Sequence, residues 1–172
     1  MKKVFIILAI LIFSKMSYTQ SSRQTSDTAA IRKILNSFMQ SIIKKDSATL
    51  TSFFANTASA WVEVHVRGAE TVALLKKKYS SVPFIAIGNY KDFIGYVTHT
   101  KDQLEEKFYN VRIRTDGSIA SVSFDYSFWS NNKKSNWGEE NWELIFDGTD
   151  WKIGGIFWSE NLDIAEQEPV KN

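Results

Sequence analysis

The sequence predicts an α+β domain in which helices of the first half cover one face of an antiparallel sheet built by the second half. Two observations support this fold class. Between residues 31 and 54, apolar residues recur every three or four positions, which is typical of amphipathic helices. Between residues 105 and 158, four alternating stretches are separated by three turns, which is typical of strands. A sheet with one strongly apolar face needs a covering layer, and the helices can provide it.

The first turn is Asp116-Gly117, a dipeptide that favours a two-residue β-hairpin. Pairing Thr115 with Ser118 across this turn sets Tyr109 opposite Phe124, so that aromatic side chains meet. This register predicts that Tyr109 lies on the covered inner face of the sheet.

The second turn lies near residues 132–134, where a loop of three or five residues sets Tyr126 beside Trp142. Aromatic side chains again meet across the two strands. This register places both on the same inner face as Phe124.

The third turn, at residues 148–149, sets Phe146 against Trp151 and Glu140 against Phe157. The three turns together place one large apolar set on the inner face: Tyr109, Val111, Ile113, Val122, Phe124, Tyr126, Phe128, Trp142, Leu144, Phe146, Trp151, Ile153 and Phe157. That much apolar surface requires cover from water.

The chain ahead of the sheet supplies the cover. We predict a long amphipathic helix over residues 27–45, a short second helix over 46–54, a strand over 60–66 and a third helix over 69–79. Residues 84–101 are apolar without a clean period, so a strand or a lid is predicted there.

The chain has 172 residues, 44% of them hydrophobic, which suits one domain and a removable segment. We predict a signal peptide over residues 1–19, a flexible leader over 20–26, the folded domain over 27–160 and a flexible tail over 161–172.

The signal-peptide prediction rests on Lys2-Lys3, the apolar run 4–13 and the small residues just ahead of Gln20. An N-terminal helix or a membrane anchor is the alternative, but ten apolar residues are few for a bilayer span. Export predicts a soluble protein in the periplasm or outside the cell, with no membrane contact after cleavage.

Charge and composition exclude several kinds of function. Removing residues 1–19 takes away three lysines and no acid, so the formal net charge falls from +2 to −1, which argues against nucleic-acid binding. The chain has no cysteine and two histidines without metal-ligand spacing, so we predict no metal site. No glycine-rich phosphate loop is present, and no cofactor is predicted.

Four local features of the sequence resemble one superfamily. They are the helix opening Gly68-Ala69-Glu70-Thr71-Val72, the hairpin 147–153 with its sequence DGTDWKI, Gly138 in the penultimate strand and Ser159 after the last strand. With the element order, they resemble the nuclear transport factor 2-like superfamily, and its SnoaL-like members in particular.

This resemblance implies a cone-shaped roll, in which a curved antiparallel sheet wraps around three N-terminal helices. The superfamily includes ketosteroid isomerase, scytalone dehydratase and limonene epoxide hydrolase, whose reactions occur inside the cone. The resemblance therefore implies that functional groups here point into the cone between sheet and helices.

Six inner-face residues are the candidate ligand-binding residues: Tyr109, Phe124, Tyr126, Phe128, Trp142 and Phe157. The weaker candidates for catalysis are Glu140, an inner-face residue near its strand's end that could instead reach water, and the pair Glu63 and His65, where a carboxylate can orient an imidazole. Plain packing of the aromatic residues and a solvated face for Glu63 and His65 are the alternatives.

The outer face of the sheet carries more apolar surface than a solvated face usually does. Its large apolar residues include Trp129, Ile145, Ile156 and Trp158. Superfamily members commonly dimerise through this face, so we predict a homodimer, with cover by the tail or by residues 84–101 as the alternative.

Three functions remain open from the sequence. The first is an exported protein that binds a small, largely apolar molecule in the cone. The second is a proton-transfer isomerase, hydratase or hydrolase acting in the same cavity, and whether the protein is an enzyme stays open. The third is a dimeric interaction domain without catalysis.

Overall fold

The computed structural model describes residues 24–56, 60–65, 69–78 and 85–170. The predicted signal peptide, and the predicted leader up to residue 23, lie outside the described residues. Residues 24–26 of that leader already belong to the first helix.

Four helices are present in the described residues. They are α1 over 24–44, α2 over Ser47–Ser52, α3 over Ala69–Lys78 and α4 over Tyr90–His99. In no helix of the described residues do length and apolar character suffice for a membrane span. Within residues 84–101, Ile85–Ile87 form a strand, as one of the two predictions had it, but helix α4 was not predicted. Tyr90 to Val97 has helical spacing that the neighbouring apolar residues obscure.

Within the described ranges, six strands form one sheet in the order β2-β1-β6-β5-β4-β3. Their bounds are β1 Ala60–His65, β2 Ile85–Ile87, β3 Leu104–Thr115, β4 Ile119–Ser130, β5 Lys133–Phe146 and β6 Trp151–Leu162. All neighbouring strands are antiparallel except β1 and β6, which run parallel. The α+β fold class and the sheet over N-terminal helices are therefore confirmed.

Helix α1 packs its apolar face on the sheet. Ile31, Leu35, Phe38 and Ile42 are at most 3% exposed, and their spacing of three and four residues is that of one helix face. The Phe38 ring lies 4.9 Å from the Trp142 ring, edge to face. This contact joins α1 to β5 at the centre of the core.

The first hairpin differs from the predicted register. Thr115 pairs with Ala120 rather than Ser118, and a β-bulge follows between Tyr109 and Arg112. Inside the bulge Asn110 has φ 55°, a left-handed conformation that asparagine tolerates. Because one extra residue reverses the alternation of a strand, the predicted inner position of Tyr109 is wrong.

Phe108 takes the inner position instead. Its ring lies 4.3 Å from that of Phe124 and 5.5 Å from that of Trp142. Glu106, two residues earlier on the same face, is likewise buried. The bulge therefore turns a carboxyl group towards the inside of the cone.

The second hairpin closes through Asn131 and Asn132, both with positive φ, between paired Ser130 and Lys133. This two-residue turn replaces the predicted longer loop. Together with a bulge between Phe128 and Trp129, it slides the register by four residues, so Trp142 pairs with Val122 rather than with Tyr126.

The third hairpin begins as predicted, because Phe146 pairs with Trp151. A bulge between Glu143 and Leu144 then shifts the register, and Glu140 pairs with Trp158 rather than Phe157. This one-residue shift reverses the faces of the second half of β6.

Candidate functional site

A cavity of about 330 Å³ opens between the inner face of the sheet and helices α1 and α4. Its described lining combines aromatic rings with carboxyl groups. The residues are Phe38, Trp61, Glu63, Phe93, Tyr96, Glu106, Tyr126, Phe128, Asn136, Glu140, Ile156, Trp158 and Glu160. Its size and mainly apolar walls are those of a small-molecule site.

Two buried carboxyl groups meet in this cavity. Glu106 of β3 and Glu140 of β5 are 6% and 7% exposed and are hydrogen-bonded to each other. Burial and the neighbouring carboxyl raise the pKa of Glu106 well above its usual range. Burial also raises the pKa of Glu140, to about 7, against the opposing effect of its hydrogen bonds. The pair can therefore hold one shared proton near neutral pH.

Trp142 is hydrogen-bonded to one member of this carboxyl pair. Its Nε1–H donates a 2.6 Å hydrogen bond to Glu140 Oε2. The donor stabilises the ionised form of Glu140, so the shared proton is held mainly by Glu106. Trp142 therefore orients a carboxylate in addition to packing in the core.

A second carboxyl pair lies at the β1–β6 side of the cavity. Glu63 and Glu160 are hydrogen-bonded to each other, and burial followed by the charge of Glu63 raises the pKa of Glu160 to about 8. The parallel pairing of β1 with β6 brings the two residues together, since Glu63 aligns with Trp158. The cavity thus holds two acid pairs.

Tyr126 lies among the four carboxyl groups. Its hydroxyl donates a 3.0 Å hydrogen bond to the Ser159 carbonyl oxygen. Burial, followed by the charges of Glu140 and Glu160, raises the pKa of Tyr126 well above its usual range. Tyr126 therefore stays protonated and can act only as a hydrogen-bond donor or acceptor.

Aromatic rings form the wall above these groups. The Trp61 ring lies 5.2 Å from the rings of both Phe93 and Trp158. Phe93 in turn stacks on Phe38 at 6.1 Å. Helix α4 supplies Phe93 and so closes one side of the cavity. This helix lies in residues 84–101, where the sequence showed no clean period.

The structure separates the predicted ligand-binding residues into three groups. Tyr126 and Phe128 line the cavity, whereas Phe124 and Trp142 are buried in the core around it. The remaining two do not reach it. Phe157 is 43% exposed on the outer face, so its predicted inner position is wrong.

Tyr109 lies on the other side of the sheet. Its hydroxyl donates to the Tyr126 carbonyl oxygen and to the Glu168 carboxylate of the C-terminal tail. Lys134 forms a 2.8 Å ion pair with the same Glu168. The outer end of the sheet therefore contacts residues beyond β6, although the mobility of residues 161–172 stays a prediction.

Among the candidates for catalysis, Glu63 and Glu140 both line the cavity. The side chain of His65 lies outside the described residues, and only its backbone pairing with Glu160 is given. His99 is exposed at the end of α4, where its Nδ1 lies 2.7 Å from the Gly95 carbonyl oxygen.

The bulge that shifts the register between β5 and β6 divides the predicted dimer surface between the two faces of the sheet. Ile145 is 38% exposed, and Trp129 lies under the Lys107 ammonium at 4.1 Å, as expected of outer-face residues. Ile156 is 2% exposed and, with Trp158, lines the cavity, so the outer position predicted for both is wrong. A homodimer through the remaining outer face stays a prediction.

The carboxyl groups of Glu106 and Glu160 were missed from the sequence, as were Phe93, Asn136 and Trp158 of the cavity wall. Glu106 and Glu160 face the cavity because a bulge separates each of them from the nearest turn, at Asn110 on β3 and at Gly154 on β6. Asparagine and adjacent glycines within strands are signals of such bulges. They show where alternation can reverse but not whether it does.

Across the described ranges, no set of three or more His, Cys, Asp or Glu side chains is placed to hold a metal ion. The four carboxyl groups instead satisfy one another in pairs. The arrangement can bind hydrogen-bond donors or exchange protons with a bound molecule.

No protein-family model and no curated protein sequence matches this chain. Solved structures do resemble it. A candidate scytalone dehydratase from Novosphingobium aromaticivorans matches with a TM-score of 0.61 and 11% identity, over 88% of this chain and 93% of that one. A nuclear transport factor 2-like protein of unknown function from Pseudomonas putida matches with a TM-score of 0.59 and 10% identity, over 86% and 94%.

A third structure, a candidate dehydratase of the nuclear transport factor 2-like family from Streptomyces avermitilis, has a TM-score of 0.59 and 14% identity, over 81% of this chain and 99% of that one. Such identities establish the fold but carry no activity with it. The chain therefore has the nuclear transport factor 2-like fold that the sequence motifs predicted.

Proposed function

We propose that this chain is an exported protein that binds a small organic molecule in the cavity of its cone. The observation that carries the proposal is the cavity of about 330 Å³, in which aromatic rings lie beside one buried and one half-buried carboxyl pair. Buried carboxyl groups cost stability, and a folded protein keeps them where they serve a ligand or a reaction. Export rests on the N-terminal sequence pattern alone.

The cavity revises the kind of ligand expected. A largely apolar molecule fits the rings of Trp61, Phe93 and Trp158, but the carboxyl pairs require polar groups on the ligand as well. An amphipathic molecule satisfies both walls. Its apolar part would lie against the rings and its hydrogen-bond donors against Glu106 and Glu140.

Ligand binding is tested by native mass spectrometry of the protein purified from its own host, followed by denaturation to release and identify any small molecule. We expect one molecule per cavity. Trp158→Ala should lose it because an aromatic wall is removed, whereas Phe157→Ala, on the outer face of the same strand, should retain it. An empty wild-type protein, or a molecule equally retained by Trp158→Ala, would contradict the proposal.

Proton transfer is the second candidate function, favoured by the raised pKa of about 7 at Glu140. An ionised Glu140 can take a proton from an acidic C–H bond of a bound molecule, and protonated Glu106 can donate one to a carbonyl or leaving hydroxyl oxygen. The two groups would supply acid and base within one pair.

For this candidate we expect kcat to rise with pH through about 7, as the base ionises. Glu140→Gln should lower kcat by about 100-fold or more, since general acid–base catalysis contributes on that scale. Glu139→Gln, an exposed neighbour on β5, should leave the rate unchanged. Turnover that persists in Glu140→Gln would exclude this role for the pair.

A further inference from the structure

Among the described residues that line the cavity, the side chains that can carry a charge are all acidic. Four of the described lining residues are glutamates, and the others with polar side chains are Asn136, Tyr96, Tyr126 and the two tryptophans. None of the described lining residues is lysine, arginine or histidine. A ligand carboxylate or phosphate would therefore meet like charges without a cationic side chain from these residues.

One acceptor in the cavity has no donor. Asn136 of β5 lines the cavity, and its Oδ1 atom is buried without any hydrogen-bond partner. An unpaired buried acceptor costs free energy, so such atoms are commonly satisfied by water or by a ligand. Asn136 therefore adds an unpaired acceptor, and no positive charge, to the cavity wall.

The aromatic wall suits a positive charge. Trp61 packs against both Phe93 and Trp158, with ring centroids 5.2 Å apart in each pair, and all three residues line the cavity. Faces of aromatic rings attract cations, tryptophan most strongly, and the attraction grows when the cation is desolvated. The aromatic rings and the carboxyl groups of the cavity therefore both favour a positively charged ligand.

We propose that the ligand of this cavity is an organic cation, either a protonated amine or a quaternary ammonium compound with an apolar part. This inference rests on the proposed binding function and names its ligand class. The apolar part and the N-methyl or N–H groups of the cation contact the rings, while the charge is balanced by the carboxyl pairs.

Binding of a cation should release protons from the carboxyl pairs. Groups that face the bound charge come from five strands and α4, and the titratable ones among the described residues are Glu63, Tyr96, Glu106, Tyr126, Glu140 and Glu160. Burial raises the pKa values of Glu106, Glu140 and Glu160, so these carboxyl groups hold protons near neutral pH. A cation stabilises their ionised forms, so its affinity should increase as the pH rises.

The test compares phenyltrimethylammonium, whose charge does not depend on pH, with its neutral isostere tert-butylbenzene. Binding is followed through the indole Nε1–H resonances of the tryptophans in NMR spectra of the full mature chain. At pH 8 we expect the cation to bind about tenfold more tightly than the isostere, from the cation–π and carboxylate attraction together. The preference should shrink towards pH 5, where the pairs are protonated.

Substitutions test which carboxyl groups cause the preference for the cation. Glu106→Gln and Glu140→Gln keep the side-chain shape and should reduce the preference for the cation, whereas Glu139→Gln should leave it unchanged. The pH comparison on the wild-type chain needs no variant, so it decides the inference even where a variant is unstable.

Equal or tighter binding of tert-butylbenzene at pH 8 would overturn the cationic ligand while leaving the cavity as a binding site. Binding of neither probe, with the tryptophan resonances unmoved, would count against both proposals.

Discussion

The free energy of unfolding is expected to fall as the pH rises from about 4.5 to about 8, because the folded chain holds protons on its carboxyl pairs that the unfolded chain releases. An ordinary glutamate has a pKa of 4.5, and burial raises that of Glu140 to about 7 and that of Glu160 to about 8. Stability from a raised pKa is fully present below the unfolded value and is lost as the pH rises through the folded one.

The expected decrease is large. For Glu140 alone it is on the order of 3 kcal/mol, since each unit of pKa difference corresponds to about 1.4 kcal/mol. Asp46, Asp116 and Asp147 have pKa values lowered by hydrogen bonds at turns and a helix cap. Their contribution is lost as the pH falls below 3.8, outside the window of the glutamates.

Urea unfolding at several pH values between 4.5 and 8 measures this effect. Glu140→Gln removes the ionisation and keeps an acceptor for Trp142 Nε1, so the variant should be more stable than the wild type at pH 8 by about 1 to 3 kcal/mol. The matched Glu139→Gln should follow the wild-type curve. A stability that stays level or rises across this range would show that the pairs do not titrate as described.

Gly138→Ala is expected to destabilise the protein by about 3 kcal/mol, near the upper end for overpacked positions. A Cβ atom at residue 138 would lie 2.0 Å from the Ser159 carbonyl oxygen and 2.9 Å from its carbonyl carbon. Both atoms belong to the backbone of β6, so a side-chain rotation cannot relieve the clash. The strand itself must move.

That movement should also reach the cavity. The Ser159 carbonyl oxygen accepts the Tyr126 hydroxyl, and Ser159 Oγ accepts from the Glu139 N–H. Gly138→Ala should therefore disturb the position of Tyr126 and weaken ligand binding as well as stability. Its close approach to Ser159 explains why this strand carries glycine at that position.

Thermal and urea unfolding of Gly138→Ala and Gly154→Ala provide the comparison. At Gly154 the nearest atom to an added Cβ is the Glu143 carbonyl oxygen at 3.5 Å, an ordinary contact. Gly154→Ala should therefore change stability by less than about 1 kcal/mol. Equal stability of the two variants would mean that the strands separate at Gly138 without cost.

The sequence by itself determined the elements and the layer that they form. Helix α1 follows from the spacing of Ile31, Leu35, Phe38 and Ile42, because apolar residues that recur about every 3.6 positions form one continuous face on an α-helix. Asp46 caps α2, accepting from the Thr49 N–H at 3.0 Å, as is common for an aspartate just before a helix. Local chemistry sufficed for these features.

Only the tertiary structure decided which side chains face the cavity. In a strand, each face is set by counting residues in twos from the turn, so one bulge reverses every position on its far side. The bulges at Asn110 of β3 and at Gly154 of β6 place Glu106, Trp158 and Glu160 inside and move Tyr109 and Phe157 outside. Whether a bulge forms depends on how the whole sheet curves around its helices, a property that no single stretch of sequence contains.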